Sequence, residues 1–288
     1  MAYQPPVNDY LFLLRDVLHI EQHAALPGFA DAGLDTVAQI LDEGGKFAAE
    51  VLAPLNGVGD KHGCQWHADN TVTTPPGFKQ AYREMVDGGW PLMGADPDWG
   101  GQGLPAVVNL CFSEMCSSAN MAFAMYPGLT HGAYAALRVG GSQALKETYL
   151  AKMASFQWAG TMNLTEPQCG TDLGLLRSKA APQGDGTYTI SGQKIWISGG
   201  EQDLSENIIH LVLARIEGGP AGVKGISLFV VPKFIPDAAG NPGARNAVHC
   251  LGLEDKMGIS ATPPASWAMR TPPAGWWARS TRASRSCS

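Results

Sequence analysis

The chain has 288 residues, 45% of them hydrophobic and 16% charged, which supplies core for one large or two ordinary domains and argues against a disordered protein. Its formal net charge of -6 disfavours a nucleic-acid partner. No run is long and apolar enough to span a bilayer. The N-terminus lacks a basic n-region, and Arg15 and Asp16 interrupt its one apolar stretch, so neither a membrane span nor a signal peptide is expected.

Six cysteines are scattered at 64, 111, 116, 169, 250 and 287 without a CxxC pair, which points to a reducing, cytoplasmic setting. His62, Cys64 and His67 in "HGCQWH" lack an evident fourth ligand and read as a polar surface loop, so no metal is expected.

Residues 1–34 read as an N-terminal extension. From residue 35, Val37, Ile40, Leu41, Phe47, Ala48, Val51 and Leu52 fall on one helix face; Asp35 is a candidate cap and Pro54 a candidate stop. "PPGFKQAYREMVDGGW" gives a second helix, with Phe78, Tyr82 and Met85 in line and Gly88-Gly89 ending it. A Gly- and Pro-dense loop follows, "GADPDWGGQGLP". "AVVNLCFSEMCSSANMAFAMYPG" is apolar on most faces and reads as a buried helix. "THGAYAALRVGG" and "SQALKETYLAKMAS" are further helix candidates, Ser142 opening the second.

After about residue 155 the texture changes to short β-branched and aromatic runs: "FQWAGTMNLT", "TYTISG", "KIWISG", "IIHLVLARI" and "GISLFVVPKF". "GDGT" marks a tight turn. Helices first and strands second argue against a doubly wound fold, and no GxGxxG or GxxxxGK[ST] segment occurs. The expected class is α+β, an all-α helical domain at 35–157 followed by an antiparallel, β-barrel-like domain at 158–262.

Two short stretches invite a ligand. In "MNLTEPQCGTD" a strand ends in a hydroxyl, a carboxylate, a proline and a glycine, which suits either an ordinary turn or a loop laid against a flat polar molecule. In "KIWISG", strict alternation puts Trp196 and Ser198 on one face and Ile195 and Ile197 on the other. Gln193-Lys194 read as a turn.

"PDWGGQGLP", "TMNLTEPQCGTDLGLLRSKA", "YTISGQKIWISGG" and "GISLFVVPK" lie in series, and with them the chain resembles the acyl-CoA dehydrogenases over roughly residues 35 to 260, in particular the branch of 3-methylmercaptopropionyl-CoA dehydrogenase-like enzymes. The resemblance implies an FAD-dependent oxidoreductase of fatty-acid metabolism that desaturates an acyl-CoA thioester between its α and β carbons. It implies flavin contacts at Met162, Thr165, Trp196 and Ser198, a phosphate-side contact at Gly170, and cofactor and acyl-CoA contacts at Thr171. It also implies an electron-transfer flavoprotein as partner and homo-oligomers for intact members; the state of this chain stays open. The pocket floor is expected around residues 106–126, with Met121, Phe123 and Met125 as candidate lining.

The family's glutamate base lies in a C-terminal four-helix bundle that this chain does not carry, so no catalytic residue is assigned. Glu166 reads as structural, beside Pro167. Residues 263–288 contain no Leu, Ile, Val, Phe, Tyr or acid, yet hold three of eight tryptophans and four arginines; they read as a non-homologous, disordered tail. Trp276-Trp277-Ala278-Arg279 is encoded TGG TGG GCN and an Arg codon, and a shifted frame spells Leu-Val-Gly and, codon permitting, Glu, a segment the family carries near this point. A frameshift between about residues 260 and 276 is therefore expected, with sheet edges left open and little or no activity. The competing readings are a non-catalytic FAD or acyl-CoA binding remnant, a fragment that never folds stably, and a related flavin oxidase.

Overall fold

The computed structural model describes residues 3–269 and 279–281. Among the described residues seven α-helices come first: α1 Val7–Phe12, α2 Leu34–Lys46, α3 Ala53–His62, α4 Phe78–Asp87, α5 Ala106–Ala119, α6 Met121–Gly140 and α7 Gln143–Ala154. A two-stranded ribbon, β1 Gln65–Trp66 with β2 Val72–Thr73, interrupts them. The apolar stripe read on α2 is the buried one: Val37, Leu41, Phe47 and Leu52 pack with Phe78, Tyr82, Met85, Phe112 and Phe123. Tyr10, Leu14 and Ile20 join this core, so the N-terminal extension packs as part of the helical unit.

Pro54 does not stop the helix. Phe47–Leu52 is π-helical and joins α2 to α3 without a break. Proline has no N–H to give and crowds the carbonyl four residues back; widening the preceding turn to i→i+5 bonding makes room for it. Asp35 lies in the first turn of α2, but Gly33 occupies the cap position and no side chain caps there. Asn120 breaks the long apolar run, its Oδ1 accepting from the Phe123 amide at 3.0 Å to start α6. Pro127 sits inside α6, which continues through the segment read as a separate helix.

The later strands are β3 Trp158–Asn163, β4 Lys179–Pro182, β5 Tyr188–Ser198, β6 Asn207–Ile216, β7 Ile226–Pro232, β8 Phe234–Pro236, β9 Pro242–Arg245, β10 Val248–Leu253, β11 Pro264–Met269 and β12 Arg279–Thr281. Eight of them form one curled sheet in the order β10-β11-β5-β4-β6-β7-β12, with β3 also on β6. The sheet is mixed, because β3 and β4 both run parallel to β6. The expected turn at 183–187 is the β4–β5 hairpin, with Gly184 and Gly186 at positive φ and the Asp185 carboxylate taking the Thr187 amide.

β6 is apolar on both faces because both are covered. Val212 and Ala214 face the half-barrel interior with Ile197, Phe229, Val231, Ala265 and Trp267, whereas Ile209 and Leu211 face α6 and α7 with Trp158, Tyr149 and Leu150. Gly160 of β3 lets that second layer close: a Cβ there would lie 2.5 Å from Cβ of Ala133, and its amide donates to Thr130 Oγ1 at 3.1 Å.

The expectation of no strand beyond residue 262 is overturned. β11 pairs with both β10 and β5, and β12 with β7. Composition misled here because Ala265 and Trp267, without a branched residue between them, alternate at period two and face the interior. The codons argued for Trp276 to Ala278 fall outside the described residues. Trp267 is fully buried, its ring 4.8 Å from that of His210. Truncating it opens a large cavity, so Trp267→Ala is expected to cost about 3–5 kcal/mol in urea denaturation.

His210 is buried, with Nδ1 2.7 Å from the Thr161 hydroxyl. Burial first, and then the charges of Lys233 and Arg245, push its pKa down to about 3. The unfolded chain takes up this proton near 6.5, so stability falls as pH drops from about 6.5 toward 3, by up to about 1.4 kcal/mol per pH unit. Between pH 6.5 and 5 the ordinary carboxylates stay ionised, so His210→Gln should flatten the stability profile there, as read by denaturant melts at stepped pH.

Candidate functional site

Strand β3 ends at Asn163, and the chain turns through Leu164, Thr165 and Glu166 toward β5. The Ile195 amide donates to the Thr165 carbonyl at 3.0 Å, which joins the two segments singled out from the sequence. Gly170 closes the turn: a Cβ there would lie 3.2 Å from Thr165 Cγ2. At the far end of β5, Gly199 lies against Tyr126 and Leu129 of α6. Thr165, Trp196 and Ser198 thus share the seam between the helical unit and the end of the sheet. Met162, on the β3 face that carries Trp158 and Gly160, points the same way and is 40% exposed.

The alternation expected here holds between the exposed Trp196 and the interior Ile197, but it breaks before Trp196. On β11, Ala265 and Trp267 are two residues apart and both face the interior; their partners on β5 are Ile197 and Lys194, three apart. The extra residue makes a β-bulge, and Trp196 sits in it at φ +60 with its indole 53% exposed. A bulky aromatic in left-handed backbone, held out to solvent, is strained, and strain of this kind clusters at ligand sites. Among the described residues, the hydroxyls of Thr165, Thr171 and Ser198 make no hydrogen bond to the protein. Free hydroxyls, an exposed indole and a thioether at one seam suit a flat ligand with a polar edge.

Gln193 and Lys194, read as a turn, lie inside β5, paired with Ala268 and Trp267. Lys194 is fully buried and its ammonium meets Glu166 Oε1 at 2.9 Å. Glu166 also accepts from the Ser178 amide at 3.0 Å, the Arg177 amide at 2.7 Å and Gln168 Nε2 at 2.6 Å. Burial alone would raise the pKa of Glu166; the donors at Ser178, Arg177 and Lys194 outweigh it and hold the pKa down at about 2. A carboxylate so saturated is a fixed anion, in keeping with its structural reading. Lys194 is the residue that sequence reasoning missed; the signal available was a cation on the strand register that carries Tyr188 and Ile190 into the interior.

A cavity of about 150 Å³ lies between α4, α5 and α6, walled by Trp90, Phe112, Cys116, Ala124, Gly128 and His131 among others. Phe123 is packed in the helical core and Met121 is exposed, and neither they nor Met125 line this cavity. Among the described residues no cluster of His, Cys, Asp and Glu could hold a metal ion, and no helix is long and apolar enough to cross a membrane.

Residues 35–157 match the acyl-CoA dehydrogenase N-terminal domain and residues 161–269 the acyl-CoA dehydrogenase middle domain. The chain belongs to the acyl-CoA dehydrogenase family, of which it carries these two domains. It is 46% identical to the 3-methylmercaptopropionyl-CoA dehydrogenase of Ruegeria pomeroyi over 265 residues, which is 92% of this chain and 45% of that one. It spans less than half the length of the curated relatives it matches. Among solved structures, the butyryl-CoA dehydrogenase of Megasphaera elsdenii superposes with a TM-score of 0.64 at 21% identity, covering 86% of this chain and 60% of that one. The acyl-CoA dehydrogenase of Bacillus anthracis, solved with FAD, gives 0.63 at 22%, covering 86% and 38%. At these identities the likeness speaks for the fold.

The strain at Trp196 has a thermodynamic signature. Trp196→Gly removes a left-handed penalty of about 1–2 kcal/mol while adding about 0.5–1 kcal/mol of chain entropy. Because the indole is half in solvent, the variant should melt within about 1 kcal/mol of the parent. A loss comparable to a core truncation would show that the indole serves packing.

Proposed function

We propose that this chain is the cofactor-holding portion of an FAD-dependent acyl-CoA dehydrogenase. The observation that carries the reading is the strained, exposed Trp196 joined to the Thr165 turn by the Ile195 amide. The site fits a flavin: the indole and Met162 offer surface to a flat ring, and the free hydroxyls of Thr165 and Ser198 offer hydrogen bonds to its polar edge. Gly170 packs against Thr165 within the turn, and Thr171, exposed beside it, would meet cofactor and acyl-CoA on this reading. When bound, the flavin accepts the β-hydrogen of the thioester as hydride. The residues of this chain bind and orient. Glu166 is not the base for the α-proton, since its lone pairs are already taken by amides and Lys194. An electron-transfer flavoprotein is the partner we infer for the whole enzyme, and a homo-oligomer its assembled form.

Titrating FAD into the purified 288-residue chain, followed by visible absorbance, tests the reading. We expect retained, saturable flavin, weakened about 3- to 10-fold in Thr165→Val by loss of one hydrogen bond. We expect no bleaching of that flavin by acyl-CoA under anaerobic conditions. Failure to take up FAD sinks the cofactor assignment. Bleaching at ordinary turnover rates would mean that this chain supplies a base after all, and acyl-CoA-dependent oxygen consumption would mark an oxidase.

A further inference from the structure

The buried ion pair makes no part of the surface that would touch a ligand, yet it is bonded to backbone that flanks that surface. The ammonium of Lys194 donates to Glu166 Oε1 at 2.9 Å and to the Leu164 carbonyl at 3.0 Å. Leu164 directly precedes Thr165. Lys194 directly precedes Ile195, whose amide holds the Thr165 carbonyl, and stands two residues before Trp196. The Glu166 carboxylate reaches the other way, to the Arg177 and Ser178 amides. The Glu166 and Cys169 backbones bond each other in both directions, at 2.7 and 3.0 Å. Arg215 completes the frame by donating to the Leu176 carbonyl at 2.7 Å and the Gly174 carbonyl at 2.6 Å.

We propose that Glu166 and Lys194 are positioning residues: their pair clamps the Thr165 turn to the Trp196 bulge, so that hydroxyl and indole stand in place before a flat ligand arrives. Two apolar side chains of the same volume would often give equal stability, because removing two charges from water costs about as much as their attraction returns. What apolar side chains lack is direction. They cannot fix the Leu164 carbonyl or the Arg177 and Ser178 amides at set distances, and a ring site tolerates little looseness in its supports. The functional consequence rests on the flavin reading above; the clamp itself rests on the geometry alone.

The experiment is amide hydrogen exchange on the full chain, with FAD titration on the same samples. In the parent, the Ile195 and Cys169 amides should be protected on the scale of the β6–β7 ladder, although they lie in a bulge and a loop. Fraying rates there would overturn the clamp without any variant. The double variant Lys194→Met with Glu166→Gln removes both charges and keeps volume and an acceptor. It should raise exchange at Ile195 and Cys169 at least about tenfold while β6 and β7 stay protected. It should also weaken FAD by about 10- to 100-fold, the scale of a small misplacement. Unchanged exchange at Ile195 and Cys169 refutes the proposal. So does a uniform rise across the sheet, which would make the pair a stability element only. If the parent takes up no FAD, the cofactor assignment fails and the exchange result still decides the clamp.

Discussion

A cation buried in the half-barrel is the constraint from which the site follows. Lys194 is fully enclosed on the inward register of β5, where its partner across the sheet is Trp267. An isolated ammonium there would be costly, so a carboxylate must come to it, and the turn after β3 brings one. Glu166 arrives with its remaining lone pairs satisfied by backbone amides, which keeps the pair from being a net liability. Once the turn is fixed at Glu166, Thr165 has nowhere else to go. Its carbonyl takes the Ile195 amide and its side chain lies against Gly170.

The layers around this pair divide the labour. One face of β6 closes the half-barrel over Trp267 and Phe229, and the other carries α6 and α7. Gly160 brings α6 onto β3 so closely that the helical unit ends where Met162 begins to be exposed. The candidate site therefore lies at a seam, with a helix on one side and two strand ends on the other. A seam is a natural place for a flat molecule, since its two walls come from elements rigid for unrelated reasons.

Much of this was legible because local rules and tertiary packing agreed. The stripe on α2, the Gly88-Gly89 stop, the Ser142 cap and the Gly-Asp-Gly turn each obey a local rule, and each stands in the structure. The misses are places where distant contacts override such rules. Pro54 stays helical because the preceding turn widens. Ala265 and Trp267 make a strand without a branched residue because β5 and β10 wait on either side. Lys194 looked like turn material because nothing local announces a carboxylate 28 residues away. The bulge at Trp196 was invisible for a stricter reason: a bulge is a property of two strands, and its evidence is the mismatch between the spacing on β5 and that on β11.

That mismatch explains why so large a side chain occupies so poor a backbone conformation. Lys194 must face inward to meet Glu166, and Ile197 must face inward to pack on Ala265. Three residues separate positions that a regular strand separates by two, so one residue must be spent between them. Glycine would take that place at least cost, and the left-handed penalty on any other residue is about 1–2 kcal/mol. A tryptophan there recovers little by packing, because half its surface is in water. Folding alone therefore leaves the exposed half of the indole without a role. A planar partner laid over it would supply one, since burying an aromatic face returns roughly 25 cal/mol for each Å² removed from water.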